Sequence, residues 1–136
     1  MADALLRKLL PAAASLLLVL APAVASAHAR LVKSEPARRG VLKTAPASVK
    51  LWLNEAVEQK FSKITIADPA GKPLTTEAAK VDAENPKLLF VELPPLRPGT
   101  YTVTFEVLSV DGHRVKQSFP FTIKDGAEAV PTAPSN

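Results

Sequence analysis

The chain has 136 residues, 47% of them hydrophobic, with 13 prolines, no cysteine and a formal charge of +4 at pH 7. That length suits one domain, and the lack of cysteine excludes disulfide staples, thiolate catalysis, cysteine zinc sites and iron–sulfur clusters. The basic side chains are scattered, and their nearest approach to a cluster (Lys33, Arg38, Arg39, Lys43) has Glu35 within it, so the charge reads as a solvated surface rather than a nucleic-acid patch.

The first element in chain order is an export signal over residues 1–27. Arg7 and Lys8 form a positive opening, Leu9 to Leu20 an apolar run, and Ala25-Ser26-Ala27 an A-x-A cleavage site that would leave His28 as the first residue. The alternative is an uncleaved membrane anchor. A spanning helix needs about 20 apolar residues, however, and Pro11 and Pro22 bracket a shorter run. Cleavage would leave 109 residues with a formal charge of +3, enough for one modest core. It would also remove Met1, the only methionine, and with it the last sulfur ligand.

Residues 28–124 read as β almost throughout. Val49, Leu51 and Leu53 alternate with Lys50, Trp52 and Asn54, the period of a strand with one buried face. Ile64 and Ile66 repeat the pattern, Leu89 and Val91 lie in a run from Lys87 to Leu93, and Tyr101, Val103, Phe105 and Val107 alternate with threonines and Glu106. Phe119, Phe121 and Ile123 close the series. Turns separate the runs. Asp68-Pro69-Ala70-Gly71 is a tight turn, Pro94 to Gly99 a longer punctuated link, and Asp111-Gly112 a further turn. No stretch shows a sustained helical stripe. Short strands at this spacing predict an all-β sandwich or Greek-key barrel. From Asp125 to Asn136 the composition turns to Ala, Pro, Gly and polar residues and predicts a disordered tail. No hydrophobic segment follows the domain, so nothing is expected to anchor the processed chain to a membrane.

Only two histidines exist, His28 and His113. After cleavage, His28 would offer both an imidazole and a free α-amine, whose ordinary pKa of ~7.7–8.0 lets a metal displace its proton near neutrality. His113 stands in Asp111-Gly112-His113. If that segment is extended, residues two apart share a face and Asp111 and His113 converge on one ion. Taken singly, a solvated histidine and an ordinary Asp-Gly turn explain these residues as well as a metal does. Export, cleavage directly before one histidine, and a carboxylate beside the other together point to a metal. Three nitrogens and a carboxylate oxygen suit copper(II), whereas the lack of sulfur opposes a copper(I) or blue-copper site. A site built on backbone amides would need histidine at the third mature position, which is Arg30.

The mature chain resembles the CopC family of periplasmic copper-binding proteins. The resemblance runs through His28 to Ala37, Ala45-Pro46, Leu51 to Val57, Phe61 to Ile64, Pro98 to Val103, Ser109 to His113 and Phe119-Pro120-Phe121. It implies a Greek-key β-sandwich, cupredoxin- or immunoglobulin-like, that holds one copper(II) through His28, Asp111 and His113. Glu55 matches an acidic residue that lies near the copper in some members. It is expected to orient His28 or its amine, or to add a ligand. Family members with a copper(I) site carry a methionine-rich loop, which this chain lacks, so copper(I) binding is not expected.

The reading that follows is a non-enzymatic periplasmic copper(II) carrier or buffer. It is expected to serve copper homeostasis or resistance as a monomer, and by resemblance to exchange copper with an inner-membrane CopD-type transporter. The alternative is an oxidative copper enzyme like the polysaccharide monooxygenases, which also use an N-terminal histidine. Asp111, an anionic ligand opposing reduction, and the single Trp and Tyr count against it. A metal-free scaffold would explain the sandwich but not the placement of His28.

Overall fold

The computed structural model describes residues 28–74 and 76–128. The proposed export signal, residues 1–27, lies outside the described residues. Among the described residues, eight strands form two four-stranded sheets. They are β1 (Leu31–Glu35), β2 (Val41–Thr44), β3 (Ser48–Leu53), β4 (Lys63–Ala67), β5 (Lys80–Val81), β6 (Leu88–Glu92), β7 (Gly99–Leu108) and β8 (Arg114–Glu128). One sheet has the order β1-β3-β6-β5 and the other β2-β8-β7-β4. Only β2 and β8 pair in parallel. Successive strands change sheet except at the β5–β6 and β7–β8 connections, which makes the molecule a Greek-key sandwich. The one described helical turn is the 3-10 turn Gln59–Phe61, and no described helix is long and apolar enough to cross a membrane.

The alternating residues meet between the sheets. Val49, Leu51 and Leu53 of β3 and Leu89 and Val91 of β6 face Ile64 and Ile66 of β4, the Tyr101 to Val107 set of β7, and Phe119, Phe121 and Ile123 of β8. Each fully buried Leu, Val or Phe contributes about 1.5–3 kcal/mol. Tyr101 stacks on Phe121 with centroids 5.5 Å apart, and its hydroxyl donates to the Arg97 carbonyl at 2.9 Å. The ring is thus buried while its polar end is bonded to the link before β7. Trp52 lies on the outer face, half-buried, with the Lys33 ammonium 4.4 Å from its ring centroid.

Three strands escaped the periodicity. β1 carries a register shift between Leu31 and Lys33, so its alternation breaks mid-strand. β2 and β5 are four and two residues long, too short to show a period. Asp125 to Glu128, expected to open the tail, lie instead in β8. β8 runs to Glu128, with β2 alongside it as far as Thr44↔Glu128 across a register shift in which Gly126 takes a left-handed conformation. Residues 129–136 lie outside the described residues.

Candidate metal centre

The site sits at the end of the sandwich where three separate pieces of chain meet. These are the residues before β1, those after β3, and the loop from Ser109 to His113 between β7 and β8. The entry to β1 is held in two places. The Arg30 N–H donates to Asn54 Oδ1 at 2.5 Å, and the Asn54 N–H donates back to the Arg30 carbonyl at 3.0 Å. One residue earlier, Ala29 is buried (2% exposed), and its N–H donates to Ser109 Oγ at 2.7 Å. Fixing the backbone of one residue costs about 1–2 kcal/mol, and hydrogen bonds each worth about 0.5–1.5 kcal/mol offset that cost. His28 therefore emerges at a defined point beside the β7–β8 loop.

The loop is a closed turn. Gly112 N–H donates to the Ser109 carbonyl at 2.9 Å, and Ser109 N–H donates to the His113 carbonyl at 2.8 Å. Gly112 takes φ +86°, a conformation in which side-chain-bearing residues are strained. The Asp-Gly turn is thus present, and the extended run that would have put Asp111 and His113 on one face is not. They converge because the chain doubles back. Asp111 Oδ1 accepts the His113 N–H at 3.0 Å, which folds the carboxylate over the turn and brings Oδ2 to 3.1 Å from His113 Nδ1.

His28 completes the group. Its Nε2 is 3.9 Å from Asp111 Oδ2, and its ring centroid is 4.9 Å from that of His113. One donor atom from each of His28, Asp111 and His113 lies within 4.8 Å of the other two. A first-row divalent ion holds N and O donors at about 2.0–2.2 Å, so its donors stand at most about 4.4 Å apart, a few tenths of an ångström from the present spacing. The imidazoles are about half to two-thirds exposed, whereas the Asp111 side chain is 23% exposed. The Asp111 carboxyl is held below its usual range, chiefly by the backbone N–H of His113. Partial burial opposes this, and the His113 side chain and the His28 charge support it. Asp111 is therefore an anion across the neutral range and an available ligand.

Glu55, expected near the metal, bonds to the β7–β8 loop. Its Oε1 accepts the Ser109 hydroxyl at 2.8 Å and the Val110 N–H at 3.0 Å. Sequence reasoning quoted Ser109 and Asn54 but gave neither a role at the site. Neither residue type announces a bond to a backbone 80 or 24 positions away.

Fold and cluster together define the class: a Greek-key β-sandwich that gathers two histidines and an aspartate, side chains able to hold a metal, at one exposed end. The CopC domain model matches residues 31–124. Protein YobA of Escherichia coli K12 is 39% identical over 99 residues, covering 72% of this chain and 80% of YobA. Copper transport protein CutJ of Bacillus subtilis is 35% identical over 109 residues, 79% of this chain but only 20% of CutJ. Among solved structures, CopC from Methylosinus trichosporium OB3b superposes with a TM-score of 0.67 at 34% identity, covering 79% of this chain and 100% of that one. The chain belongs to the CopC family, whose members include copper resistance and copper transport proteins.

Proposed function

We propose that the protein carries copper(II) in the periplasm. With residues 1–27 removed, the His28 α-amine and imidazole, the Asp111 carboxylate and the His113 imidazole bind one ion per chain. The observation that carries this reading is the convergence of His28, Asp111 and His113 within 4.8 Å at an exposed end of the sandwich. All proposed donors are N or O, a set that favours copper(II) over copper(I). One chain supplies every donor, so a monomer suffices. The exposed imidazoles suit exchange with another protein. In CutJ, the stretch like this chain makes up a fifth of a longer copper transport protein. That arrangement supports copper exchange with a CopD-type inner-membrane transporter in copper resistance or homeostasis.

The test compares protein beginning at His28 with the same protein carrying one extra Gly before it. The added residue turns the His28 amine into an amide, a poor copper ligand at neutral pH, and leaves every side chain in place. Calorimetry at pH 7 should find one copper(II) per chain in the first and far weaker binding in the second. Matched affinities would overturn the terminal-amine site.

A further inference from the structure

We propose that Ser109 is the positioning residue of the copper site. Its hydroxyl, oriented by Glu55, holds the Ala29 amide and so fixes the terminal histidine against the Asp111–His113 loop. This rests on the copper reading above and adds to it a device that no ligand list contains. Ser109 directly follows β7 and is 3% exposed. Its backbone closes the metal loop, donating to the His113 carbonyl at 2.8 Å and accepting from the Gly112 N–H at 2.9 Å. Its side chain faces the other half of the site, accepting the Ala29 N–H at 2.7 Å. One residue thus ties the loop that carries two ligands to the strand entry that carries the others.

A serine hydroxyl has one hydrogen and can point it in several directions. Glu55 removes that freedom. Oε1 takes the Ser109 hydrogen at 2.8 Å, leaving the serine oxygen lone pairs for the Ala29 amide. The same Oε1 takes the Val110 N–H at 3.0 Å, so the acceptor is itself fixed to the loop it orients. Ala29 is the residue directly after the proposed ligand, so its amide is the last backbone hydrogen-bond donor before the His28 amine. Holding it restricts where both nitrogens of His28 can lie. Without the tether, the segment before Arg30 loses a bond to the loop that carries Asp111 and His113, and copper binding must bring the two together.

Three measurements test this. In the metal-free protein, Ser109→Ala should speed hydrogen exchange at the Ala29 amide while melting stays cooperative; unchanged exchange overturns the tether whether or not copper binds. In copper titrations, Ser109→Ala should weaken affinity about 10–100-fold, as supporting residues of metal sites do. It should also shrink the penalty of the Gly extension by about tenfold, since coupled groups are not additive. A purely structural role would lower affinity and leave that penalty unchanged. Finally, Glu55→Ala should reproduce the loss, whereas Glu55→Gln, which keeps an oxygen able to accept both hydrogens, should stay within roughly threefold of the parent. Equal losses for Ala and Gln would place the effect in the carboxylate charge or in direct ligation, and would overturn the proposal. If the parent protein binds no copper(II), the functional reading fails and the exchange result still judges the tether.

Discussion

The imidazole rings of His28 and His113 stand 4.9 Å apart, tilted by 33°, although they come from opposite ends of the folded chain. The Asp111 carboxylate lies beside both, 3.1 Å from His113 and 3.9 Å from His28. This arrangement makes the three residues unequal in what their loss should do.

His28→Ala and His113→Ala should each weaken copper(II) binding by orders of magnitude, because each removes a nitrogen donor. Asp111→Asn should weaken it and also raise the reduction potential of the bound ion, since it removes a negative charge that favours the higher oxidation state. Electron paramagnetic resonance of the parent should show nitrogen hyperfine structure that is altered in each histidine variant. Copper(I) should bind poorly to all of them for want of sulfur. A tight, defined copper(I) site in the parent would contradict the donor set.

Asp111 also makes a pH prediction. Its folded-state pKa is depressed, chiefly by the His113 backbone N–H. Its contribution to stability is therefore fully present above the unfolded value, near 3.9, and is lost as pH falls through the lower folded value. Carboxyl titration followed by NMR should show a midpoint below the ordinary range. His113→Ala should restore it only partway, because the backbone donor remains. Between pH 5 and 8 Asp111 stays ionised, so its availability to a metal should not change over that range.

Gly112 tests the turn. A Cβ built there would meet nothing within 4 Å, so the obstacle to substitution is the backbone alone, at φ +86°. Gly112→Ala should destabilise the protein by about 1–2 kcal/mol, the cost of a left-handed residue with a side chain, and should weaken copper binding by shifting Asp111 against His113. Gly112→Asn should cost less on both counts, because Asn tolerates that conformation. Thermal melts and copper titrations of the two variants decide it. An equal penalty for both would point to a contact the backbone argument does not include.

Much of the sandwich was legible in the linear order of residues. Val49, Leu51 and Leu53, then Tyr101 to Val107, then Phe119 to Ile123 declare buried faces, because side chains alternate along a strand and one face must leave water. The bulged β1 and the short β2 and β5 were not legible, since a register shift or a two-residue length erases the period. The identities of His28, Asp111 and His113 were also readable, from an expected cleavage point and from a motif. Their meeting was not. Asp111 and His113 converge through a closed turn, which local spacing could not distinguish from an extended run. His28 joins them where β1 pairs with β3 and Ala29 is bonded to Ser109 across 80 residues. Sequence alone sets which donors are available and which periodic runs seek burial, as both depend on side-chain chemistry and near neighbours. Tertiary structure decides where the donors meet and what holds them there, because those hydrogen bonds join residues that only the packed sheets bring into contact.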